Sequence, residues 1–188
     1  MSKSYLYFTR PINEQTAAAL VQTAFNVSFQ TKCDELVILM SSVGGGINYG
    51  FDIYHQLRTI PIKLTTVNIG SIESIAVPVF LSGEKRFAIE NSKFKLHPFS
   101  WTFASNVMNY PDLREAIVSL DSDVKRYSAI IKERTTIDKS DIQIEQCLTM
   151  SPKILSPNDA LTYGFIDDVT TIDESFFEPG RPRVFVNA

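Results

Sequence analysis

Two serines and a glutamate stand where a strand pattern gives way to a helix pattern, in the stretch "IGSIESIAV". Ser74 directly precedes a run of small apolar residues that predicts a helix. A helix N-terminus presents unpaired N–H groups and a partial positive charge. A serine there can cap the helix, or it can be a nucleophile whose oxyanion those groups stabilise. Ser71 competes for the capping role, and Glu73 is either a surface residue or a general base.

A histidine at the end of a strand is the second candidate for chemistry. His97 ends the strand pattern "KFKLH" and is followed by Pro98, so the chain leaves the sheet there. The other histidine, His55, lies within a predicted helix, on a solvent or interface face. A serine and a histidine together could perform nucleophilic catalysis with general-base assistance. By itself, His97 is equally compatible with a structural role.

The glycine loop "SSVGGG" is the third candidate. It follows an apolar strand, and consecutive glycines let the backbone approach a ligand and point amide groups at an anion. The same residues also fit a tight turn. The loop is neither a Walker loop nor a dinucleotide-binding fingerprint, because the required lysine and glycine spacing are absent.

The elements that must position these residues alternate between strand and helix. The continuous apolar runs "ELVILM" and "IKLTTVNI" are typical of strands buried on both faces. Helices are predicted after Asn13, after the glycine loop and after Ser74. Such alternation predicts parallel βαβ units and an α/β fold.

The second half of the chain predicts a long helix and several short elements. The aromatic stretch "PFSWTFASNVMNY" predicts a loop, and apolar residues at steps of three and four predict one amphipathic helix over residues 111–134. A weaker helix is expected over 139–148. The segment "SPNDALTYG" predicts a complete helix with Ser156 as its cap. The predicted organisation is one domain, residues 1–170, followed by a C-terminal surface extension, 171–188.

Composition excludes several classes of function. The chain has 188 residues, a net charge of −3 and two cysteines, Cys33 and Cys147, without metal-type spacing. We therefore expect no nucleic-acid partner, no disulfide framework, and no metal or organic cofactor. No segment predicts a signal peptide or a membrane span. The expected location is the cytoplasm.

The order of these motifs resembles the Clp protease proteolytic subunit family from about residue 5 to residue 169. The segment "IGSIESIAV" is similar to the family's "IGQAASMGA", and "NSKFKLHPF" is similar to "NSRVMIHQP". The glycine loop "SVGGG" corresponds to "SPGGS". The most specific match is "LSPNDALTYGFID" with the family's "LSAEEAVEYGLID", because residue types and spacing agree along the whole element.

The resemblance implies a serine endopeptidase. It places Ser74 on the nucleophile and His97 on the base, with the amides of Gly45 and Ile75 as the oxyanion hole. It implies a ClpP/crotonase-type βαβ spiral whose long helix, about residues 111–134, is a handle that lies outside the core, between stacked rings. Substrates would be peptides or unfolded polypeptide inside a homo-oligomeric ring, and an AAA+ unfoldase would be a partner.

The chain departs from the family pattern at the third catalytic position. The family's aspartate stands four residues before the serine of "LS", and that position here is Pro152, beside Ser151 and Met150. The groups that could orient His97 instead are a backbone carbonyl near Ser151 and Pro152, the Ser151 hydroxyl, or a carboxylate from elsewhere, of which Asp141 and Glu145 are nearest in sequence. We expect no carboxylate within hydrogen-bonding reach of His97, and poor basal activity.

Two other departures affect the expected function. Glu73 and Ile75 are bulkier and more charged than the small residues that surround the family's nucleophile. The chain also begins close to its first strand, without the family's axial segment, so peptide cleavage without an ATPase is expected. Two alternatives remain: a catalytically impaired scaffold subunit, and a crotonase-type acyl-CoA enzyme that would use Glu73 as its acid/base.

Overall fold

Strands and helices alternate through the first half of the computed structural model, which describes residues 2–100 and 109–186. The strands are β1 (Lys3–Phe8), β2 (Glu35–Ser42), β3 (Lys63–Glu73), β4 (Lys85–Ile89), β5 (Lys93–Leu96), β6 (Lys153–Leu155), β7 (Asp168–Thr170) and β8 (Arg183–Phe185). The helices are α1 (Glu14–Gln30), α2 (Ile47–Leu57), α3 (Ala76–Phe80), α4 (Tyr110–Arg134), α5 (Ile144–Thr149) and α6 (Pro157–Thr162). The predicted α/β class is confirmed.

One long strand, β3, organises the sheet. The strand order is β6-β5-β3-β2-β1-β8, and β4 pairs with both β3 and β7. On one edge β3 pairs with β2, and on the other it pairs first with β4 and then, nearer its end, with β5. All of these pairs are parallel, and only β5 and β6 run antiparallel. Two successive strands, β4 and β5, share the same edge of β3. This arrangement agrees with the predicted βαβ spiral.

Strand β2 shows why its sequence lacks polar alternation. Its residues from Glu35 to Met40 are all buried. Leu36, Ile38 and Met40 belong to the main core beneath the helices. Val37 and Leu39 face a smaller cluster on the opposite side of the sheet. A strand covered on both faces needs apolar residues at every position, which confirms the sequence-based prediction.

The C-terminal segment is part of this sheet, so describing it as a surface extension is wrong. Strand β8 pairs in parallel with β1, and the amide of Val186 donates to the carbonyl of Tyr7 at 3.0 Å. Phe177 is buried in the smaller core cluster, with its ring edge against Tyr5. Apolar residues of the tail thus cover a sheet face that would otherwise be open.

The predicted long helix is confirmed as α4, but only half of it lies outside the core. Asn109 caps it by accepting a hydrogen bond from the amide of Asp112. The C-terminal half contributes four residues to the main core: Val124, Tyr127, Ile130 and Ile131. The N-terminal half leaves large apolar side chains exposed: Tyr110, Leu113, Ile117 and Val118. The expectation that the whole helix lies outside the core is therefore wrong.

The predictions for the shorter elements of the second half are confirmed in part. The capping box of α6 is confirmed, because Ser156 and Asp159 bond reciprocally. The weak helix over 139–148 is instead a 3-10 turn, Ile137–Lys139, followed by α5. The Ser140 hydroxyl accepts from the amide of Ile142, and such a local turn competes with helix formation. Most of the predicted loop after His97 lies outside the described residues.

Candidate active site

Ser74 lies at a sharp turn between β3 and α3. Strand β3 continues past Gly70 to Glu73, so Ser74 follows it directly. The backbone φ of Ser74 is +54°, in the left-handed region that serine rarely adopts. Backbone strain of this kind occurs preferentially at functional sites, and a strained strand-to-helix turn is how α/β hydrolases expose a nucleophilic serine.

The capping role considered for the two serines is wrong. The N-cap residue of α3 is Ile75, which makes no side-chain capping bond. Helix α3 has only five residues, so few peptide dipoles can add along its axis. Stabilisation of negative charge at Ser74 therefore depends on individual amides rather than on the helix as a whole.

Hydrogen bonding distinguishes Ser74 from the neighbouring serines. The Ser42 hydroxyl accepts from the amide of Gly44 at 3.2 Å. The Ser71 hydroxyl donates to the Glu73 carboxylate at 2.6 Å. Within residues 2–100 and 109–186, no hydrogen bond involves the Ser74 hydroxyl. Of the three, only Ser74 has its hydroxyl free of partners in this part of the chain.

The glycine loop packs directly against this turn. Gly44 has φ +85°, and a Cβ there would lie 2.8 Å from the Cβ of Ser74 and 3.3 Å from the amide nitrogen of Ile75. Gly45 has φ +149°, and a Cβ there would lie 2.0 Å from the carbonyl oxygen of Ile12. Side chains at either position would force the loop away from its neighbours, so the glycines allow the close approach.

The amides of Gly45, in the glycine loop, and of Ile75, next to Ser74 in the chain, remain available as donors. Within the described chain, neither the Gly45 nor the Ile75 amide donates a hydrogen bond to another residue. The Ile75 side chain is fully buried against Gly50 of α2, where a Cβ would come within 2.2 Å of it. The bulky residue after Ser74 is thus accommodated in the core by a glycine on the adjacent helix.

The sheet brings Ser74 and His97 to the same edge. In the parallel pairing of β3 with β5, Glu73 lies opposite Lys95. Ser74 and His97 follow that pair by one and two residues, at the carboxyl ends of strands that lie about 4.8 Å apart. No hydrogen bond joins the Ser74 hydroxyl to the His97 ring. His55 is exposed on α2 with its ring against Tyr54, as expected of a residue outside the site.

A backbone carbonyl, not a carboxylate, contacts the His97 ring. Nδ1 of His97 lies 2.9 Å from the carbonyl oxygen of Pro98. If Nδ1 carries the proton and donates it to that oxygen, Nε2 is left unprotonated, which is the tautomer a general base requires. In the part of the chain that the structure describes, no carboxylate bonds to the ring.

The carboxylates considered as replacements lie elsewhere. Glu145 accepts from the Ser128 hydroxyl at 2.5 Å and from the Lys132 ammonium at 2.9 Å. Asp141 is exposed. Strand β6 runs antiparallel to β5, and their pairing ends with Lys153 opposite Leu96. Continuing that register by one residue would set Pro152, the position of the family's aspartate, opposite His97.

Glu73 is held in an ion cluster. Its carboxylate accepts from Ser71 and lies 3.2 Å from the Lys93 ammonium and 3.7 Å from that of Lys95. Burial raises the pKa of Glu73, but the Ser71 bond and the two lysines outweigh it and lower the pKa overall. A carboxylate held in its ionised form is a weak base. This arrangement argues against the acid/base role that the acyl-CoA alternative requires.

Sequence reasoning missed Tyr127. Its spacing identifies it only as a member of the apolar stripe of α4, but its hydroxyl donates to the carbonyl oxygen of Ser74 at 2.9 Å. The side chain is fully buried. The available signal was a tyrosine within a core-facing stripe, because a buried phenolic hydroxyl usually has a polar partner.

No cluster of three or more His, Cys, Asp or Glu side chains in residues 2–100 and 109–186 is arranged to hold a metal ion. No helix in the described chain is both long enough and apolar enough to cross a membrane.

An α/β spiral with a serine on a strained turn, a glycine loop packed against that turn and a histidine at the adjacent strand end has the architecture of a serine hydrolase. A sequence profile described as Clp protease matches residues 1–173. The chain belongs to the Clp protease family.

Individual relatives agree with this assignment. The ATP-dependent Clp protease proteolytic subunit of Deinococcus radiodurans is 26% identical over 172 residues, covering 87% of this chain and 78% of the relative. The solved structure of a ClpP1 mutant from Listeria monocytogenes superimposes with a TM-score of 0.71 at 19% identity, covering 92% of this chain and 94% of that one. The second comparison confirms the predicted ClpP-type fold.

Proposed function

We propose that this protein is a serine peptidase in which Ser74 is the nucleophile and His97 the general base. The observation that carries the proposal is the strained turn at Ser74, which presents a hydroxyl without a partner among the described residues. Among the same residues, neither the Ile75 amide in this turn nor the Gly45 amide in the adjacent glycine loop donates a hydrogen bond. Strain at such a turn costs stability, and it is expected where function requires the geometry.

The geometry supports a familiar sequence of proton transfers. The Ser74 hydroxyl attacks the scissile carbonyl while Nε2 of His97 takes its proton. The amides of Gly45 and Ile75 donate to the oxyanion that forms. His97 then protonates the leaving amine, which departs and leaves an acyl-enzyme. Water, deprotonated by His97, hydrolyses that ester and restores the Ser74 hydroxyl.

The Pro98 carbonyl takes over part of the role of the absent aspartate. Accepting from Nδ1 holds the imidazole in the required tautomer. A neutral carbonyl stabilises the imidazolium less than a carboxylate does, since hydrogen bonds between charged partners are roughly twice as strong. We therefore expect slow basal turnover.

The substrate and assembly follow from the family and from α4. Its exposed apolar residues form a handle surface, defined as Tyr110, Leu113, Ile117 and Val118. An apolar patch of this kind is typical of an interface between subunits. We infer a homo-oligomeric ring that encloses the sites and admits peptides or unfolded polypeptide. Short peptides would be cleaved without an ATP-dependent unfoldase, and we expect weak or no coupling to one. Two unpaired cysteines suit the cytoplasm.

A second candidate is a scaffold subunit with little or no activity of its own. It is favoured by the same observation that slows the proposed enzyme: in the described residues, the His97 ring contacts a carbonyl and no carboxylate. Such a subunit would retain the fold and the oligomeric contacts, but it would not hydrolyse peptides.

Hydrolysis of short fluorogenic peptides separates the two candidates. The peptidase proposal predicts turnover that is lost in Ser74→Ala and in His97→Gln. Ser71→Ala is the matched control, because it removes a hydroxyl three residues away and should retain activity. No turnover by the wild-type protein would favour the scaffold, and equal turnover by the wild type and Ser74→Ala would refute Ser74 as the nucleophile.

A further inference from the structure

We infer that Tyr127 is a positioning residue that fixes the orientation of the Ser74–Ile75 peptide and thereby aims the Ile75 amide at the oxyanion. The inference rests on the proposed function, because it concerns one of the two proposed oxyanion donors. It assigns to the long helix α4 a direct part in preparing the site.

The inference begins with the peptide plane. The carbonyl of Ser74 and the N–H of Ile75 belong to one planar trans peptide, so they point in opposite directions. Fixing the carbonyl therefore fixes the amide. The carbonyl oxygen accepts from the Tyr127 hydroxyl at 2.9 Å and from the amide of Val77 at 3.0 Å. Rotating the Ile75 amide away from the site would break both bonds.

The second bond is not needed merely to satisfy the carbonyl. The amide of Val77 already provides one donor to Ser74, which is what burial of a carbonyl usually demands. The added bond from Tyr127 restrains the plane and polarises the peptide, which strengthens the Ile75 N–H as a donor. Burial raises the pKa of Tyr127 well above its usual value, so its hydroxyl remains a donor.

Tyr127 also contacts the segment that carries His97. The ring of Phe99, two residues beyond His97, packs edge-on against the Tyr127 ring with centroids 5.5 Å apart. The amide of Phe99 donates to the carbonyl of Leu148 at 2.9 Å. One buried side chain thus contacts both the turn at Ser74 and the segment that follows His97.

The test compares two tyrosine-to-phenylalanine variants. Tyr127→Phe keeps the ring and its packing and removes only the hydroxyl. Tyr5→Phe is the matched control, because Tyr5 is also buried with its hydroxyl bonded to backbone, to Phe176 and Glu178, away from the turn. The quantities measured for each variant are kcat and KM on a short peptide, the rate of fluorophosphonate labelling, the rate of amide hydrogen exchange in the segment from 70 to 80, and the melting temperature.

We expect Tyr127→Phe to lower kcat and the labelling rate about tenfold, the effect of losing one hydrogen bond, with KM unchanged. Exchange in the 70–80 segment should become faster. Tyr5→Phe should alter neither rate nor that exchange. A purely structural hydroxyl would instead lower the melting temperature in both variants and leave kcat at its wild-type value.

The possible failures are distinguishable. Wild-type labelling and turnover in Tyr127→Phe would overturn this inference while Ser74→Ala still established the peptidase. Equal cleavage by the wild type and Ser74→Ala would refute the proposed function, and the positioning role would fall with it. Unchanged hydrogen exchange in Tyr127→Phe would contradict the restraint on the peptide plane whatever the activity.

Discussion

The amide of Ser74 donates a 2.9 Å hydrogen bond to the carbonyl oxygen of Lys95, two residues before His97. This bond extends the parallel pairing of β3 and β5 beyond the last residue of β3. The separation of serine and histidine is therefore set by the backbone rather than by either side chain. Variants at Ser74 or His97 should keep the fold, so loss of activity in them reports on chemistry.

The contact between the glycine loop and the turn should be essential for turnover. Gly44→Ala would place a Cβ 2.7 Å from the carbonyl oxygen of Glu73 and displace the loop. Because displacements of about 1 Å can cost roughly a hundredfold in rate, we expect kcat to fall by on the order of 10². The rate of hydrolysis of a short peptide measures this fall in kcat.

Gly180→Ala is the control for that substitution. Gly180 also has a positive φ, +75°, but a Cβ there would meet nothing within 4 Å. Both variants therefore carry a similar backbone strain of about 1–2 kcal/mol, and only Gly44→Ala adds the collision. Equal activity in the two variants would show that the loop contact does not matter.

Restoring a carboxylate beside His97 should raise activity. The β5–β6 pairing ends with Leu96 opposite Lys153. If that register continued by one residue, an aspartate at position 152 would face His97. Directly opposed side chains have Cβ atoms about 5 Å apart. We expect kcat of Pro152→Asp to increase at least about tenfold, since loss of the acid in a serine protease of another fold costs about 10⁴.

The neutral variant Pro152→Asn separates charge from shape in that experiment. It has nearly the same size as aspartate but cannot stabilise an imidazolium, so its kcat should stay near the wild-type value. An increase in both variants would attribute the effect to removal of proline. No increase in either would mean that Pro98 already orients His97 sufficiently.

The Glu145 carboxylate should make the free energy of unfolding depend on pH. Its bonds with Ser128 and Lys132 lower its pKa from 4.5 to about 2. A lowered pKa in the folded state stabilises the protein at pH above the unfolded value, and this contribution is lost as pH falls from 4.5 toward 2. Glu145→Gln should lower the melting temperature at pH 7.

The difference between Glu145→Gln and the wild type should then shrink as the pH is lowered toward 2. Asp141→Asn is the comparison variant, because Asp141 is an exposed carboxylate of the same segment. A melting temperature that differs from the wild type by the same amount at pH 7 and at pH 2 would contradict the role of the ionised carboxylate.

The handle surface should support assembly. Ile117 is 60% exposed on α4, and a charge there would have to be buried in any interface formed by this surface. Ile117→Glu should reduce the mass measured by light scattering, while Glu115→Gln on the same helix should leave it unchanged. A monomeric mass for the wild-type protein at micromolar concentration would contradict the proposed ring.

The sequence was most informative where structure depends on neighbours along the chain. The capping residues Asn13 and Ser156 were identified because their partners lie three residues away. The continuous apolar run of β2 likewise indicated burial on both faces. The long helix α4 was recognised from its spacing, although spacing could not distinguish its core-facing half from its exposed half.

Prediction failed where distant contacts decide the outcome. Strand β3 continues past Gly70 because β5 pairs with its last residues, and no local pattern around Gly70 indicates that partner. Tyr127 lies 53 residues from Ser74 along the chain, so its bond to the turn requires the folded structure. The contact of His97 with the Pro98 carbonyl depends on a side-chain rotation that composition and spacing do not specify.

Mapping a fluorophosphonate adduct by mass spectrometry tests the central claim most directly. The reagent forms a phosphonate ester, with loss of fluoride, on serines that a base activates, so an active site at Ser74 predicts a single adduct on the peptide that contains Ser74. Ser74→Ala should carry none, while Ser71→Ala should be labelled like the wild type. An adduct on Ser71 or Ser42, or no adduct on the intact wild-type protein, would contradict the assignment of Ser74 as the nucleophile.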